Sequence, residues 1–304
     1  MLNKIGKYEL KEIIDKNEFG LCYKAIDDNN KLYAIKKINI QNKEFVNDEI
    51  KILKSMNSKY SVEFIELIEK NDYVYMIMEL CDNNLNDLLN KNNGNLDLTI
   101  IIDIISQLNE ALKMMNSKDI VHTNLKPENI LIKNTNDIHI KLSNYKLTKN
   151  FQNNNNSYFQ APEVSLFNKR NIKSNLWNLG LILYYLYFNQ LPFIDIDDYF
   201  NLNNKIILKK THNEISDDLI SKLLIKNSNE RINWNDYFNH PFNKQQLIEI
   251  YIDIEKDKTN STIINKEFNQ EQLKDSKIFL NGKKINFKFD FIFKKGKHFF
   301  TIII

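Results

Sequence analysis

The sequence predicts an α+β fold in which a small β-rich lobe precedes a larger, mostly helical lobe and a short β-rich C-terminal tail. Three observations predict this order. Short apolar and β-branched runs fill the first 80 residues, helical apolar spacing dominates residues 85–242, and period-two alternation returns near the C-terminus. The chain has 304 residues, 42% of them hydrophobic, which is enough for one two-lobed domain with an appendage.

The N-terminal lobe is predicted to contain five strands and one helix. Apolar and β-branched runs bounded by turn residues indicate strands at Tyr8–Ile14, Leu21–Ile26, Lys31–Ile38, Val62–Glu69 and Tyr73–Leu80. A helix is predicted at Phe45–Met56, because its apolar residues recur at three- and four-residue spacing. The first lobe is therefore a set of strands with one helix among them.

Helices dominate the second lobe. The apolar spacing fits helices at Leu85–Leu89, Leu98–Ser117, Trp177–Asn189 and Asp217–Leu224. Residues 120–147 interrupt this pattern, because they are rich in strand and loop signals. The second lobe is thus predicted to be helical with one short β-containing segment.

After residue 242 the pattern changes to that of a β-rich tail. The pair Asn281-Gly282 is a strong hairpin signal between Ile278–Leu280 and Ile285–Phe287. An alternating apolar strand face then continues to Phe293. An exposed apolar strand of this kind invites edge pairing, so we expect the tail to be covered by the rest of the chain or by a partner.

The composition excludes several classes of function. A formal net charge of +3 gives no electrostatic case for nucleic-acid binding. The strongest apolar run, Leu179–Phe188, is too short for a membrane span of about 20 residues, and the N-terminus lacks the apolar core of a signal peptide. Two distant cysteines, Cys22 and Cys81, do not suggest a disulfide framework. We expect an intracellular, cytoplasmic protein that binds neither nucleic acid nor membrane.

Residues 122–129 read HTNLKPEN and resemble the catalytic loop HRDLKPEN of eukaryotic serine/threonine protein kinases. Other landmarks of that family occur in its order and near its spacing: Tyr33–Lys36 (VAIK strand), Glu49 (helix αC), Asn144–Lys146 (DFG position), Ala161–Glu163 (APE), Trp177 with Gly180, and Arg231 with His240–Phe242. The resemblance implies a bilobal protein-kinase-like fold over residues 8–242. Residues 1–7 are then a leader, and residues 243–304 are the tail.

Two positions central to phosphate transfer in that family carry asparagine instead of aspartate. Asn124 stands at the proton-acceptor position, and Asn144 stands at the magnesium-binding position of DFG. An amide is not usefully basic, and its neutral oxygen is a poorer Mg²⁺ ligand than a carboxylate. The glycine-rich loop of the family aligns with Asp15–Gly20 and keeps only its third glycine. We therefore predict no intact catalytic residue and no metal site.

The resemblance also implies a set of nucleotide-binding residues. Lys36 and Glu49 match the ion pair that positions the phosphates, while Lys126 and Asn129 match the catalytic-loop lysine and the second metal position. The other candidates match the walls and the hinge of the adenine site: Ile14, Cys22, Ala34, Met78, Glu79, Cys81 and Leu131. This set could bind a nucleotide weakly or without a metal. Alternatively, the ion pair only ties strand to helix, and the apolar residues pack an empty cleft.

The structural landmarks of the family are retained. His122 and Tyr145 match positions in the hydrophobic stack that links the lobes, and Glu163 and Arg231 match a buried ion pair. Asn175 stands where the family has an aspartate that braces the catalytic loop by accepting a hydrogen bond. The amide oxygen of Asn175 can still accept such a bond. The architecture is therefore expected to persist where the chemistry has changed.

This contrast predicts an inactive serine/threonine kinase homologue, a pseudokinase rather than an enzyme. We expect a scaffold or an allosteric partner of another protein, with no required cofactor and at most weak or magnesium-independent binding of ATP. The alternative is a weakly active serine/threonine kinase, because Lys36, Glu49, Lys126 and Asn129 are retained. The sequence indicates neither the identity of the partner nor the oligomeric state.

Overall fold

The computed structural model describes residues 4–17, 20–134, 137–145, 158–167, 169, 171–193, 199, 206–211, 213–244, 247–250, 279–280, 283–284 and 300–303. The chain divides into two compact units, Met1–His240 and Pro241–Ile304. The first unit begins with a β-rich lobe and continues as a largely helical lobe, and short strand pairs occur in the second unit. The predicted α+β order is confirmed.

The N-terminal lobe is built on a six-stranded antiparallel sheet with the strand order β1-β2-β3-β4-β6-β5. Its strands are β1 (Lys4–Ile5), β2 (Tyr8–Asn17), β3 (Gly20–Ile26), β4 (Leu32–Asn39), β5 (Phe64–Lys70) and β6 (Tyr73–Glu79). Tyr8, Ala25, Ile35 and Ile77 are fully buried and pack in one core cluster. The five predicted strands are present, and the short β1 is an addition to them.

Helix α1 (Lys43–Met56) follows β4 after a 3-10 turn at Ile40–Asn42. Its buried face includes Glu49 and Leu53. The helix ends where Asn57 adopts a left-handed conformation with φ 36° and donates its backbone N–H to the Leu53 carbonyl at 3.2 Å. Asparagine tolerates this conformation better than most residues do, so it is a suitable C-terminal cap.

The second lobe consists mainly of helices. They are α2 (Leu85–Lys91), α3 (Leu98–Ser117), α4 (Pro162–Phe167), α5 (Ser174–Phe188), α6 (Glu214–Leu223) and α7 (Trp234–Asn239). Helix α5 is buried along most of its length and packs closely on α6, because Gly180 lacks a side chain. A Cβ atom at Gly180 would lie 2.8 Å from Leu223 Cβ.

In the part of the chain that the structure describes, none of the helices combines the length and the apolar character that a membrane span requires.

A small sheet within the second lobe positions the segment that resembles a catalytic loop. Its strand order is β7-β8-β9, with β7 (Asn83–Asn84), β8 (Ile130–Asn134) and β9 (Ile138–Leu142). The loop residues 122–129 precede β8, and Asn144 follows β9. Because Ile130 pairs with Leu142 in the antiparallel ladder, Asn129 and Asn144 are brought together at the same end of the sheet.

A buried ion pair joins α4 to the end of the helical lobe. Arg231 donates to both carboxylate oxygens of Glu163, at 2.8 and 2.9 Å, and Ser174 Oγ donates to the same carboxylate at 2.9 Å. The Arg231 side chain is fully buried, and the guanidinium carbon lies 5.2 Å from the centre of the Trp177 ring. The pair implied by the family resemblance is present.

The unit Pro241–Ile304 contains two short strand pairs in its described residues. Strand β10 (Leu247–Ile250) pairs with β13 (Phe300–Ile303), and β11 (Phe279–Leu280) pairs with β12 (Lys283–Lys284). The predicted hairpin turn Asn281-Gly282 lies between β11 and β12, outside the described residues. The predicted apolar strand face at residues 285–293 lies outside the described residues. The expectation that the rest of the chain or a partner covers this face therefore stays a prediction.

Candidate active site

A cleft of about 800 Å³ is lined by residues of both lobes of the first unit. This volume falls within the usual range for small-molecule sites, about 300–1,000 Å³. All eleven predicted nucleotide-binding residues line it, together with both asparagines at the predicted catalytic positions. They are Ile14, Cys22, Ala34, Lys36, Glu49, Met78, Glu79, Cys81, Asn124, Lys126, Asn129, Leu131 and Asn144. The structure therefore brings the whole candidate set to one cavity.

A buried ion pair in the cleft joins β4 to α1. Lys36 Nζ lies 2.8 Å from Glu49 Oε1 and 3.1 Å from Oε2. Both side chains are about nine-tenths buried. A carboxylate that contacts the ammonium through both oxygens fixes the position of the cation, so Lys36 is held ready at the cleft wall.

The wall formed by β3, β4 and β6 is apolar. Cys22, Ala34 and Met78 are buried, and Leu131 of β8 lines the same cavity. Burial raises the pKa of the Cys22 thiol to about 11, despite the opposing effect of Lys36 nearby, and raises that of Cys81 to about 12. Both cysteines are therefore protonated, weakly reactive groups at neutral pH, and they act as apolar lining.

Glu79, predicted at the hinge of the adenine site, lines the cleft and has its side chain bound by two lysines. Its carboxylate forms ion pairs with Lys133 at 2.7 Å and with Lys141 at 2.5 Å. It also accepts a hydrogen bond from the Glu63 backbone N–H at 2.9 Å. Burial by itself raises the pKa of Glu79, but these partners outweigh it and hold the pKa below its usual value. The carboxylate is therefore held in place by the two lysines.

Lys133 and Lys141 were not among the predicted site residues. They lie on β8 and β9, more than 50 residues from Glu79 in sequence. No spacing rule connects a strand of the first lobe to two lysines of the second, so the sequence offers no signal for this contact. The ion pairs join the end of β6 to the helical lobe beside the cleft.

A chain of amide hydrogen bonds links the three asparagines at the floor of the cleft. Asn144 Nδ2 donates to Asn129 Oδ1 at 2.6 Å, and Asn129 Nδ2 donates to the Asn124 carbonyl oxygen at 2.6 Å. Asn144 has φ 59°, a left-handed conformation that asparagine tolerates. The positions that the resemblance assigns to metal binding are thus joined directly by an amide–amide contact.

Asn129 and Asn144 offer a metal ion only neutral amide oxygens. Mg²⁺ prefers anionic oxygens in octahedral geometry, whereas Asn144 and Asn129 offer neutral amides, one of which already accepts a hydrogen bond. Among the described residues there is no group of three or more His, Cys, Asp or Glu side chains placed to hold a metal ion.

Gly20, the one glycine retained from the family's glycine-rich loop, lies where two strands pack closely. A Cβ atom at Gly20 would lie 1.9 Å from the Lys37 carbonyl oxygen, because β3 and β4 approach closely at this point. The resemblance assigns Gly20 to the loop that covers the phosphates. The structure shows that strand packing alone excludes a side chain at this position.

His122 and Asn175 hold the loop that carries Asn124. The buried imidazole lies 4.7 Å from the Tyr145 ring, centre to centre, and it donates from Nε2 to the Ser143 carbonyl at 3.2 Å while Nδ1 accepts the Asn124 backbone N–H at 3.3 Å. In the orientation that satisfies both groups, the Asn175 amide contacts the His122 carbonyl and N–H at 3.0 and 3.1 Å. The predicted neutral brace is present.

The burial of His122 predicts a loss of stability in acid. Burial lowers the pKa of His122 to about 4 in the folded protein, whereas an unfolded chain titrates near 6.5. The unfolded state therefore binds more protons between these values, so the His122 contribution is complete above pH 6.5. It should be lost as pH falls toward 4, by about 1.4 kcal/mol per pH unit. Denaturant unfolding at several pH values measures this slope.

The control for this measurement is His122→Phe, which keeps an aromatic ring but removes the titrating group. We expect the variant to be less stable at neutral pH, because the Ser143 and Asn124 hydrogen bonds are lost. Its free energy of unfolding should depend less on pH between 4 and 6.5 than that of the wild type. Equal slopes for both proteins would show that His122 does not titrate in this range.

Comparison with known proteins decides the family. The family model described as protein kinase domain matches residues 8–243. The chain belongs to the protein kinase family. The kinase-like bilobal fold implied by the resemblance is confirmed, with Lys36, Glu49, Asn124 and Asn144 in its cleft.

Several kinases are similar to this chain. Serine/threonine-protein kinase unc-51 of Caenorhabditis elegans is 28% identical over 275 residues, covering 80% of this chain and 32% of that protein. A putative serine/threonine-protein kinase of Acanthamoeba polyphaga mimivirus is 30% identical, covering 77% of this chain and 63% of that protein. Calcium-dependent protein kinase 5 of Plasmodium falciparum is 30% identical, covering 91% of this chain and 49% of that protein. This kinase chain thus spans less than two thirds of the length of each of these relatives.

These similarities correct the prediction that the protein is not an enzyme. The relatives are named as serine/threonine kinases or protein kinases, and the kinase model covers both lobes. The prediction gave greatest weight to two asparagines and too little to the retained Lys36–Glu49 pair. Kinase domains typically use ATP and Mg²⁺, so the prediction of no required cofactor is not supported either.

Proposed function

We propose that this kinase domain transfers the γ-phosphate of ATP to serine or threonine hydroxyls, with Asn124 and Asn144 in place of two aspartates. The observation that carries the proposal is the buried Lys36–Glu49 pair at the wall of a cleft of nucleotide size. Phosphate transfer depends mainly on positioning and on electrostatic stabilisation. An oriented ammonium supplies both for the phosphates without reorganising during the reaction.

The cleft also offers surfaces for the rest of the nucleotide. Cys22, Ala34, Met78 and Leu131 form apolar walls on which a purine ring can pack. Lys126 is partly exposed at the other end, and its ammonium lies 4.0 Å from the Glu128 carboxylate. That contact is long and weak, so Lys126 remains available to an anionic phosphate.

Asn124 sets the limit on the rate. During transfer, the acceptor hydroxyl oxygen forms a bond to the γ-phosphorus while the bond from that phosphorus to the β–γ bridging oxygen breaks. The Asn124 side-chain carbonyl can accept a hydrogen bond from the hydroxyl, but it does not take the proton. The proton passes to an oxygen of the transferred phosphoryl group. Without a general base, the transfer is slower by about 10²–10⁴-fold.

The predicted protein partner is, in this proposal, the polypeptide that carries the acceptor hydroxyl. A scaffold role toward such a partner is also proposed. It is supported by the frame around the catalytic loop, where the Glu163–Arg231 pair and the Asn175 brace are both formed. The two roles are compatible, because binding of a polypeptide does not depend on the rate at which phosphate is transferred to it.

Transfer of labelled phosphate from ATP to a mixed serine/threonine peptide library tests the proposal. The wild-type domain should label peptides slowly, and Lys36→Ala should lower the rate by about 10²–10³-fold, the usual effect of removing one oriented electrostatic donor. Lys37→Ala is the matched control. Lys37 is the next residue on β4, and its ammonium lies 4.0 Å from the centre of the Tyr73 ring, outside the lining of the cleft.

The comparison of the two variants also detects a contaminating kinase. Labelling that survives in Lys36→Ala at the wild-type rate would come from another enzyme and would contradict the proposal. Absence of transfer from the wild-type protein, at concentrations where it binds ATP, would contradict it as well.

A further inference from the structure

We infer that the nucleotide binds in this cleft without help from a divalent cation. The inference rests on the proposed function, because it concerns the same ATP site. It starts from the amide contact between Asn144 and Asn129, whose Nδ2 and Oδ1 atoms are 2.6 Å apart. In this contact a proton donor occupies one of the two lone-pair positions of the Asn129 oxygen, and a cation would have to approach beside it.

The hydrogen bonds run in one direction. Asn144 donates to Asn129, and Asn129 in turn donates to the Asn124 carbonyl oxygen at 2.6 Å. Turning the Asn129 amide would place its oxygen against the Asn124 carbonyl oxygen, so two acceptors would face each other. Making Asn129 Oδ1 fully available to a metal ion would therefore break one hydrogen bond or two.

The surrounding backbone fixes Asn129 in this arrangement. Its carbonyl oxygen accepts hydrogen bonds from the Ser143 N–H at 3.1 Å and from Ser143 Oγ at 3.3 Å, and its own N–H donates to the Lys126 carbonyl at 2.9 Å. The side chain is almost fully buried. Asn129 thus has little freedom to turn toward an incoming cation.

Three of the carboxylates that line the cleft already have partners. Glu49 is paired with Lys36, Glu79 is paired with two lysines, and Asp87 accepts the Asn84 backbone N–H at the start of α2. Mg²⁺ would keep mostly water and nucleotide oxygens as ligands. Of the lysines that line the cleft, Lys36 and Lys126 stand at the positions that the family resemblance assigns to the phosphates.

Replacing Asn144 with aspartate should reverse this property. Aspartate has nearly the same shape and tolerates the same left-handed backbone, so the change alters charge and little else. Its carboxylate would face Asn129 Oδ1, and a cation between the two oxygens would remove the repulsion. The variant is therefore expected to bind Mg²⁺ even without nucleotide.

Calorimetric titration of ATP, in EDTA and in excess Mg²⁺, tests the inference on the whole chain. The wild-type dissociation constants should agree within about threefold, and Asn144→Asp should bind ATP about tenfold or more tightly with Mg²⁺. The tenfold figure is a lower bound. Losing even a residue that only hydrogen-bonds to a metal ligand lowers metal affinity by about 10–100-fold. Asn71→Asp is the matched control, because Asn71 has φ 53° on an exposed turn outside the cleft.

Thermal unfolding with Mg²⁺ alone gives a readout that needs no nucleotide. The wild type and Asn71→Asp should show no shift, whereas Asn144→Asp should be stabilised. A tenfold gain in wild-type ATP affinity with Mg²⁺, or a wild-type thermal shift, would overturn the inference and leave the proposed kinase function standing. No ATP binding under either condition would overturn both, whereas cation-independent binding without phosphate transfer would overturn only the proposed function.

Discussion

The double substitution Asn124→Asp with Asn144→Asp is expected to raise the rate of phosphate transfer by about 10²–10⁴-fold. The carboxylate introduced at position 124 would accept the proton of the acceptor hydroxyl, and the one introduced at position 144 would supply the anionic oxygen that Asn144 lacks. Both side chains line the cleft that holds the Lys36–Glu49 pair, so the added groups act on the same substrate. Initial rates of peptide phosphorylation at saturating ATP and Mg²⁺ measure the gain.

The single substitutions separate the two effects. Asn124→Asp alone should raise the rate in EDTA as well as in Mg²⁺, whereas any gain from Asn144→Asp should appear only with Mg²⁺. Combining the double substitution with Lys36→Ala should cancel most of the gain, because the phosphates lose their oriented cation. An unchanged rate in the double variant would show that these two positions do not limit transfer.

Removing the charge of Glu163 is expected to lower the free energy of unfolding by about 3–5 kcal/mol. Glu163→Gln would leave the fully buried Arg231 guanidinium without its anionic partner, and the amide cannot accept both of its hydrogen bonds. The Ser174 hydroxyl would also lose a charged acceptor. Chemical denaturation followed by tryptophan fluorescence reports the loss, because Trp177 lies against Arg231.

The control is the same substitution in an exposed pair. Glu110 and Lys113 lie three residues apart on α3, with side chains about half exposed and a contact of 2.7 Å. Glu110→Gln should cost less than about 0.5 kcal/mol, because water screens the charges and replaces the lost contact. If the two variants lose the same stability, burial is not what makes the Glu163–Arg231 pair important.

The N-terminal strands and the main helices were predictable because each has a strong local pattern. Helix α3, for example, spans Leu98–Ser117 in the prediction and in the structure alike, since its apolar spacing ends where the polar residues begin. Predictions of where strands end were less accurate. Strand β2 continues to Asn17, beyond the predicted Ile14, because pairing with β3 extends it past its apolar residues.

The candidate site could be predicted because its residues occur in ordered motifs. Lys36, Asn124, Asn129 and Asn144 were identified from the resemblance, and all of them line the cleft. The contacts made by Glu79 could not be predicted in this way. Its two lysine partners lie on β8 and β9, and no sequence period relates them to β6.

The sequence by itself determined the order of the elements, the family resemblance and the residue types at each catalytic position. These properties depend on local spacing and on side-chain chemistry, both of which can be read directly from the amino-acid sequence. The tertiary structure alone decided that Asn144 donates to Asn129, that Asn129 donates to the Asn124 backbone carbonyl, and that Glu79 is held by two lysines. Hydrogen-bond direction and ion pairing depend on which groups the fold brings within about 3 Å of each other, and residues far apart in sequence meet at that distance only after folding.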